Sequence, residues 1–514
     1  MNKISILLLF SLTVAHSQVP VISYTTPNVF TNGQTITDLI PTATGGAIIA
    51  ETLVSTFAGS GTVGSADGNG IAASFNLPTV VTIDSFGNIF VVDRSNHKIR
   101  KITPARDVTT FAGSGSIGSA DGIGTAASFK YPDGAVFDSQ NNLFVSDQSN
   151  HKIRKITPDG TVSTFAGTGL IGSADGIGIL ASFYYPAGMT VDAVDNLYVA
   201  DYGNNKIRKI TPNGTVTTFA GTGIAGSADG TVLTAQFNGA TGVCIDPLGS
   251  IFVADYYSNK IRKISTIGDV TTIAGTGTIG STDGIGTSAS FYYPAIVAID
   301  LNNNLFITDE ENHKIRKITP DGMVSTYAGT GVIGATDGLA TVAQFNSATG
   351  VAIDHSNTVF VCDYGNNKIR KIKTYGYSIS PALPTGLLFN TSNGRISGTP
   401  TVVSPATDYT VTASNSDGMS TFVLNIAVNP ELGIPNYVIP NIQIYPNPVT
   451  DILTITPSEG ITAIKLVTLL GQEIVLNSTR SVGNKIDVSG LSDGCYIARI
   501  SFGNIIKTIR FLKQ

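Results

Sequence analysis

"DRSNHKIRKI", residues 93–102, recurs five more times in this chain with only a few changes. Successive copies begin 54 residues apart. The later copies are DQSNHKIRKI from Asp147, DYGNNKIRKI from Asp201, DYYSNKIRKI from Asp255, DEENHKIRKI from Asp309 and DYGNNKIRKI from Asp363. A constant period of this length is typical of a repeat fold in which each copy forms one structural unit.

Each unit contains four short runs that are rich in residues favouring β-strands. In the first complete copy they are TVVTID (79–84), NIFVVD (88–93), HKIRKI (97–102) and VTTFAG (108–113). Short connections such as DSFGN (84–88) place Asp, Gly or Asn where hairpin turns need them. Four antiparallel strands per unit, with no amphipathic helix between units, predict the blades of a β-propeller.

The phase of the repeat predicts that the propeller closes into a ring of six blades. VSTFAG (54–59) appears before any complete unit, and the last unit stops after NKIRKI (367–372). The early segment is therefore expected to supply the missing outer strand of the sixth blade. Closure of this kind removes the free strand edges that an open array would expose.

The repeated stretch around GNIFVVDRSNHKIRKI resembles NHL repeats, a family that builds six-bladed propellers. The resemblance covers about 54–372 and implies a fold that serves binding modules, scaffolds and some enzymes. The long Gly-rich connections, such as GSGTVGSADGNGIAASF (59–75), depart from the usual shorter NHL unit. They are interpreted as surface loops, because they join strands and no helix follows them to complete a phosphate-binding loop.

The segments on either side of the propeller resemble two parts of one putative Ig-like domain. The early strands correspond to 22–48 and the later ones to 377–428, which suggests that the propeller is inserted into a β-sandwich. The fold expected is all-β throughout, with a C-terminal β-sandwich after the Ig-like segments. The domain boundaries predicted are 1–17 signal peptide, 18–50 early Ig-like strands, 51–374 propeller, 375–430 later Ig-like strands, 431–440 linker and 441–514 C-terminal domain.

The C-terminal segment resembles the sorting domain of type IX secretion substrates. The motifs that carry the resemblance are IQIYPNPVTDILTI (442–455), LLGQEI (469–474) and DGCYIARISFGNIIKTIRFLKQ (493–514). The resemblance implies that the type IX secretion machinery is a partner of the chain. At the other end, Lys3, the apolar run 4–14 and small residues before Gln18 are typical of a secretory signal. A secreted or outer-surface location is expected, without a transmembrane helix.

Charge in the repeat is balanced, which argues against nucleic acid as a partner. The positions of Lys98, Arg100 and Lys101 supply more than half of the 31 Lys and Arg residues. The positions of Asp67 and its counterparts, with two other repeated Asp positions, supply half of the 36 acidic residues, and the net charge is -5. The basic residues are therefore interpreted as framework, with their stems packed between blades and their heads at the Asp turns or in water.

Cofactors are not expected from the sequence. His97, His151 and His313 share a position that is Asn in the other copies, which favours a turn residue over a metal ligand. Calcium at Asp67 and its five counterparts is the alternative considered, although one carboxylate per loop is few for its oxygen shell. Cys244, Cys362 and Cys495 are too scattered for a disulfide framework.

A ligand site is predicted where the copies differ, on the face of the ring that carries the connections between second and third strands. After the second strand the residues are Arg94, Gln148, Tyr202, Tyr256, Glu310 and Tyr364. On entering the innermost strand they are Leu77, Tyr131, Tyr185, Gly239, Tyr293 and Ser347. Tyrosine suits stacking on sugars or contact with peptides. The site residues predicted are Tyr131, Asp133, Tyr185, Tyr202, Tyr256, Tyr293 and Tyr364.

Three functions remain open at this point. The favoured one is a binding or scaffold module for a glycan, peptide or protein ligand. The second is a metal-assisted lyase or hydrolase in the propeller channel, which needs carboxylates or histidines that converge there; the innermost strands offer Asp133. The third is a structural adhesion component whose tyrosines only pack the loops.

Overall fold

The computed structural model describes residues 18–431, 441–456, 459–475, 481–482, 484–503 and 505–514. The predicted signal peptide and almost all of the predicted linker lie outside these residues. The described residues form β-strands joined by turns and single 3-10 turns, which confirms the all-β prediction. They belong to two compact units, one ending at Asn429 and one beginning at Pro430.

The propeller consists of six sheets, and each sheet is one blade. The blades are numbered 1 to 6 in chain order by their innermost strand. The innermost strands are Pro78–Ile83, Ala135–Phe137, Pro186–Val191, Ala240–Ile245, Pro294–Ile299 and Ala348–Ile353. The second strands are Ile89–Asp93, Leu143–Asp147, Leu197–Asp201, Ile251–Asp255, Leu305–Asp309 and Val359–Asp363. Each second strand is buried along its whole length, because neighbouring blades cover both of its faces.

The outer part of each blade contains one strand more than the sequence predicts. The third strands are Lys98–Ile102, Lys152–Ile156, Lys206–Ile210, Lys260–Ile264, Lys314–Ile318 and Lys368–Thr374. The fourth strands are Asp107–Ala112, Thr161–Ala166, Thr215–Ala220, Asp269–Ala274, Met323–Ala328 and, in blade 6, Thr52–Ala58. Short fifth strands pair with the fourth: Gly68–Asn69, Gly122–Ile123, Gly176–Ile177, Gly230–Thr231, Gly284–Ile285 and Gly338–Leu339.

The ring closes as predicted. Thr52–Ala58 pairs antiparallel with Lys368–Thr374, and Val54 lies opposite Ile372 in this register. Val54 is buried in the core of blade 6. The innermost strands of blades 6 and 1 are adjacent, with the Thr349 hydroxyl donating to the Thr79 carbonyl at 2.9 Å. An N-terminal segment therefore forms the outer part of the last blade.

The repeated arginine of the third strand lies between blade layers and is fully buried. Arg100 donates to Asp93 at 2.9 Å and to Asp67 at 2.6 Å, and its guanidinium lies 5.3 Å from the centre of the Phe75 ring. The same contacts recur at Arg154, Arg208, Arg262, Arg316 and Arg370. The basic residue is framework, as predicted, but this arginine head is bound by two Asp residues and is shielded from water.

The Gly-rich connections are more ordered than the interpretation as surface loops suggests. In blade 1 the connection contains the fifth strand Gly68–Asn69 and the 3-10 turn Gly70–Ala72. Asp67, just before this strand, reaches Arg100 of the third strand and also accepts from the Thr110 hydroxyl. Asp67 is half exposed, with 51% of its side-chain surface accessible. The connection is therefore an outer edge of the blade, fixed by an ion pair.

The two flanks of the propeller share one hydrophobic core. The early strands are Val21–Ser23, Asn28–Thr31 and Thr42–Thr44. The later strands are Gly376–Ser380, Leu387–Phe389, Ile396–Gly398, Ser404–Asn415 and Gly418–Asn429. Asn28–Thr31 pairs parallel with Gly418–Asn429, and the Tyr24 hydroxyl donates to the Gly394 carbonyl at 2.6 Å. Ile22 and Tyr24 pack with Leu424 and Ile426.

The described residues of the second unit form two four-stranded sheets. Its strands are Gln443–Tyr445, Ile452–Thr456, Ala463–Thr468, Glu473–Ile474, Ser481–Val482, Lys485–Asp487, Gly494–Phe502 and Ile505–Lys513. Leu453, Leu466 and Ala498 from the two sheets are fully buried in one core. The C-terminal end of the chain takes part in the fold, because the Gln514 amide donates to the Val449 carbonyl at 3.0 Å.

Candidate functional site

A cavity of about 470 Å³ opens at the centre of the ring, where two tiers of side chains surround it. We call it the mouth. The upper tier comes from the turns after the second strands: Arg94, Gln148, Tyr202, Tyr256, Glu310 and Tyr364. The lower tier comes from the beginnings of the innermost strands: Thr79, Asp133, Ala187, Thr241, Ala295 and Thr349. Each blade contributes one residue to each tier.

A repeated turn positions the upper tier. In blade 1 the 3-10 turn Arg94–Asn96 follows Asp93, and His97 ends it in the left-handed conformation with φ 55°. The His97 Nδ1 then accepts the backbone amide of Tyr131 in the next blade at 3.2 Å. The prediction that this histidine is a turn residue is confirmed. Because the turn has the same backbone form in every blade, the side chains at its first two positions distinguish one blade from another at the mouth.

Blades 3 and 4 form an aromatic wall of the mouth. The Tyr202 and Tyr257 hydroxyls are hydrogen-bonded at 2.7 Å, and the Tyr256 and Tyr257 rings meet edge to face with centroids 5.1 Å apart. Gly239 makes this approach possible, since a Cβ there would lie 2.7 Å from the Tyr257 ring. Tyr293 stacks on Tyr256 from behind with centroids 4.6 Å apart. The wall is therefore held by its own ring contacts.

Blades 1 and 2 form a polar wall. The Arg94 Nη2 donates to the Gln148 Oε1 at 2.9 Å, and its Nε lies 3.7 Å from the Asp133 Oδ1. The Arg94 guanidinium also lies 5.5 Å from the centre of the Tyr131 ring. Burial raises the pKa of Asp133, while the charge of Arg94 opposes the rise. These contacts hold a cation, an anion and an amide at one side of the cavity.

Glu310 in blade 5 is a second carboxyl in the mouth with a raised pKa. Its pKa is raised to about 7, chiefly by burial and further by the negative charges of Glu311 and Asp133. Hydrogen bonding with Tyr256 and the charge of Arg94 act in the opposite direction. The Glu310 side chain therefore exchanges a proton near neutral pH, which is unusual for a glutamate.

The structure brings five of the seven predicted site residues into the lining of the mouth: Asp133, Tyr185, Tyr202, Tyr256 and Tyr364. Tyr131 and Tyr293 lie behind it. Tyr131 packs edge to face on His97 with centroids 4.6 Å apart, and Tyr293 supports Tyr256. Both have positive φ, 46° and 56°. They act on the mouth through the residues that they support.

The emphasis on tyrosine left out several residues that line the mouth. Arg94, Gln148 and Glu310 occupy the same turn position as the predicted tyrosines, so the differences between copies were the better signal. Tyr257 follows that position, where the other copies have Ser, Gly or Glu. The lower tier gave a weaker signal, because Thr and Ala are typical of any strand. Only Asp133 was recognised there.

Asp133 also changes the strand that carries it. The innermost strand of blade 2 begins at Ala135, three residues later than its counterparts in the other blades. The amides of Asp133 and Gly134 instead bond to Ser146, at 3.0 Å to its carbonyl and 2.6 Å to its hydroxyl. This break in the ladder sets Asp133 at the start of the irregular segment, facing the cavity. Among the described residues, no group of three or more His, Cys, Asp or Glu is arranged to hold a metal ion.

Comparison with known proteins agrees with this architecture. The family model described as "Teneurin NHL domain" matches residues 173–373. NHL repeat-containing protein 2 of Homo sapiens is 26% identical over 364 residues, covering 63% of this chain and 49% of that protein. The repeated segment is thus similar to NHL repeats. The chain also matches the models described as "Putative Ig domain" at 339–429 and "Secretion system C-terminal sorting domain" at 443–514.

Other similarities also cover only part of each chain. Protein SUPPRESSOR OF QUENCHING 1, chloroplastic, of Arabidopsis thaliana is 29% identical over 317 residues, which is 58% of this chain and 30% of that protein. The chain thus spans half or less of these two relatives. Two solved structures from Bacteroides thetaiotaomicron show the same fold at low identity. One is a protein of unknown function, with TM-score 0.51, 18% identity and coverage of 68% of this chain and 83% of that one. The other is an auxiliary nutrient binding protein, with TM-score 0.50, 16% identity and coverage of 65% and 82%.

The sorting domain implies handling by the type IX secretion system and a secreted or surface-attached product. Within the described ranges, no helix has the length and apolar character needed to cross a bilayer.

Proposed function

We propose that this protein is an exported binding module that holds a small ligand, or the end of a larger one, in the propeller mouth without chemical change. The observation that carries the proposal is the double tier around the cavity. Its twelve positions are structurally equivalent in sets of six, yet their side chains differ from blade to blade. A uniform framework surrounds a non-uniform lining.

The lining offers the two kinds of contact that a specific small-ligand site needs. The aromatic wall of blades 3 and 4 provides flat apolar surface with hydroxyl groups at its edge. The polar wall of blades 1 and 2 provides Arg94, Asp133 and Gln148 for hydrogen bonds. A largely preformed cavity with a few directed polar groups is the usual form of such sites. A glycan or a peptide terminus is the ligand class we favour.

Export would determine where this site meets its ligand. The sorting domain would direct the chain across the outer membrane, after which the propeller mouth faces the surroundings of the cell. The Ig-like sandwich would then act as the support of the propeller, because the chain enters and leaves the ring through it. The solved nutrient-binding neighbour supports the fold only, since the identity is 16%. The support for the function proposed for the mouth is the geometry of the residues that line it.

Binding to glycan and peptide arrays by the full chain tests this proposal. We expect a ligand whose affinity falls at least about tenfold in Tyr256→Ala, because the side chain supplies much of the aromatic wall. Tyr256→Phe should keep most of the affinity, since it keeps the ring. Tyr445→Ala, an exposed tyrosine of the second unit, is the matched control and should bind as the unaltered protein does.

A ligand that binds equally well to Tyr256→Ala would place its site elsewhere and contradict the proposal. Failure of every array, with correctly folded protein, would favour the structural role instead.

A second candidate function is acid-base catalysis in the same cavity. The observation that favours it is Glu310, whose pKa of about 7 suits a group that takes and returns a proton near neutral pH. The metal-assisted form of this candidate has only Asp133 and Glu310 as carboxylates in the mouth, fewer ligands than a catalytic zinc usually has. Conversion of the identified ligand to products, lost in Glu310→Gln, would establish this function.

A further inference from the structure

The mouth contains more negative than positive side chains. Of the described residues that line it, Asp133 and Glu310 are the carboxylates and Arg94 is the one strongly basic group. The three groups come from blades 2, 5 and 1, so none of the repeated Arg–Asp pairs of the framework includes them. An anion that is partly removed from water needs a cation or hydrogen-bond donors to balance its charge. Whether Arg94 supplies that balance depends on what its guanidinium already contacts.

Arg94 does not fully neutralise the mouth. Its Nη2 is engaged by Gln148 at 2.9 Å, and its Nε stands 3.7 Å from the Asp133 Oδ1, beyond hydrogen-bond distance. Within the described part of the chain, the Asp133 carboxylate accepts no hydrogen bond. About a quarter of its surface, 23%, is accessible. Asp133 therefore retains acceptor positions that face the cavity.

Glu310 is unbalanced in the same way. The groups that face it are Glu311, Asp133, Arg94 and Tyr256, and two of these four are anionic. Burial, and then the charges of Glu311 and Asp133, raise its pKa to about 7, while Tyr256 and Arg94 offset only part of the rise. The charges of both carboxylates also raise the pKa of the Tyr202 hydroxyl. Asp133, Glu310 and Tyr202 all line the cavity and interact electrostatically within it.

The aromatic wall next to these carboxylates favours a cation as well. The faces of tyrosine rings attract ammonium groups electrostatically, and the attraction grows when water is excluded. Tyr202, Tyr256 and Tyr257 present such rings beside the two carboxylates. A cation in the cavity would thus contact rings and carboxylates at the same time.

We infer that the ligand bound in the mouth carries a protonated amine, which Asp133 and Glu310 bind while the tyrosines of blades 3 and 4 contact its carbon skeleton. This inference rests on the proposed binding function. An amino sugar, a lysine side chain of a peptide and a free alkyl diamine share this chemistry. Acetylation of the amine removes the charge and keeps most of the shape, so it separates charge recognition from shape recognition.

Calorimetry of the full chain with matched pairs of probes tests the inference. The pairs are glucosamine and N-acetylglucosamine, a lysine-containing peptide and its acetyl-lysine form, and cadaverine and 1,5-pentanediol. We expect at least one ammonium probe to bind about tenfold or more tightly than its neutral partner, since a charge-assisted hydrogen bond is stronger than a neutral one. The pair that shows the preference identifies the source of the amine.

Asp133→Asn and Glu310→Gln should each reduce that preference about tenfold, while the neutral partner is bound as before. Glu311→Gln, measured at pH 8 where Glu310 is largely ionised in both proteins, is the matched control: it removes an exposed carboxylate next to Glu310 that does not line the cavity, and it should change affinity less than about threefold. Thermal unfolding shows whether each variant is folded.

The pH dependence of the unaltered protein provides a second measurement that needs no variant. The lysine peptide keeps its charge across this range, whereas Glu310 becomes ionised as the pH passes its pKa of about 7. Affinity for that peptide should therefore rise about tenfold from about pH 6 to about pH 8.

Equal binding of charged and neutral partners, or an affinity independent of pH, overturns the inference and leaves the proposed function in place if Tyr256→Ala still abolishes binding. Absence of binding by every probe, charged or neutral, up to about 10 mM overturns the inference, whereas the proposed function is overturned only if the glycan and peptide arrays fail as well.

Discussion

Two positions that lie six residues apart in every repeat behave in opposite ways. The position of Arg100 is arginine in all six copies, whereas the position of Arg94 is filled by Arg, Gln, Tyr, Tyr, Glu and Tyr in turn. The first is fully buried between blade layers, and the second faces the mouth. The repeat is therefore uniform where six equivalent contacts hold the ring and varied where one cavity is surrounded.

The physical reason is that the framework needs six equivalent sets of contacts, whereas the mouth surrounds one ligand. Each buried arginine binds two Asp residues and a Phe ring of its own blade, so one solution serves every blade. A ligand at the ring centre has no sixfold symmetry, and a lining of six identical residues would bind it poorly. The following predictions test this division, beginning with the framework.

Arg208→Ala should cause the largest loss of stability, about 3–5 kcal/mol, because it leaves the fully buried Asp201 without its cation. The measurement is thermal or urea unfolding of the full chain. Arg395→Ala is the control, since Arg395 pairs with Asp38 at an exposed site and should cost less than about 1 kcal/mol. Similar losses in the two variants would show that the buried pairs are not what distinguishes the framework.

Val54→Asp should destabilise the propeller by about 3 kcal/mol, as a charge without a partner enters the core of blade 6. Val108→Asp, at the equivalent position of blade 1, should have a similar effect if the closing strand contributes as much to stability as a strand within one repeat. Ser55→Asp, on the exposed neighbour of Val54, should be nearly neutral. A mild effect of Val54→Asp beside a severe one of Val108→Asp would indicate a ring that opens.

Glu310→Gln should stabilise the protein at high pH, in contrast with the framework variants. The carboxyl pKa rises from 4.5 to about 7 on folding, so its contribution to stability is complete below about pH 4.5 and is lost as the pH rises through about 7. Glutamine does not ionise, so the variant does not lose this stability as the pH rises. We expect a gain of about 1–2 kcal/mol at pH 8 and almost none at pH 4, reduced from the full shift by partial exposure to solvent. A gain that is the same at both pH values would rule out this cause.

Tyr202→Phe should have the smallest effect, less than about 1 kcal/mol, because it removes only the hydroxyl contact with Tyr257 at 2.7 Å. Unfolding curves of Tyr202→Phe and of Tyr257→Phe should coincide, since either change breaks the same bond. A loss larger than that of the framework variants would reverse the comparison from which these predictions start.

The framework could be predicted from the sequence in most respects. Six copies of one pattern, with a strand before the first and a gap after the last, determined the blade number and the closure by residues 52–58. The partner of Arg100 at Asp67 was not predictable in the same way. Both residues recur in every copy, so the copies do not show which of the repeated Asp residues contacts the arginine. The contact also depends on a loop conformation that Gly-rich sequence leaves open.

The sequence indicated the face of the ring that carries the candidate site, but not all of the residues that line it. Differences between copies pointed to the turn after the second strand, and the structure places these turns around one cavity because the ring geometry directs them to one face. The choice among the varying residues was guided by the chemistry of tyrosine, which favoured Tyr131 and Tyr293 over Arg94 and Glu310. Tyr131 packs on His97 behind the mouth, whereas Tyr185 at the equivalent position lines it, and the residue type does not show this difference.

The closing strand also has a consequence for synthesis and export. Thr52–Ala58 is made early, but its partner Lys368–Thr374 is made only when the last blade is reached. Until then the nascent ring has one strand with a free edge, which is prone to wrong pairing. The sorting domain begins later still, at residue 443. A prematurely terminated chain therefore lacks the export signal whenever it lacks a closable ring, so that unfinished propellers are not delivered to the surface.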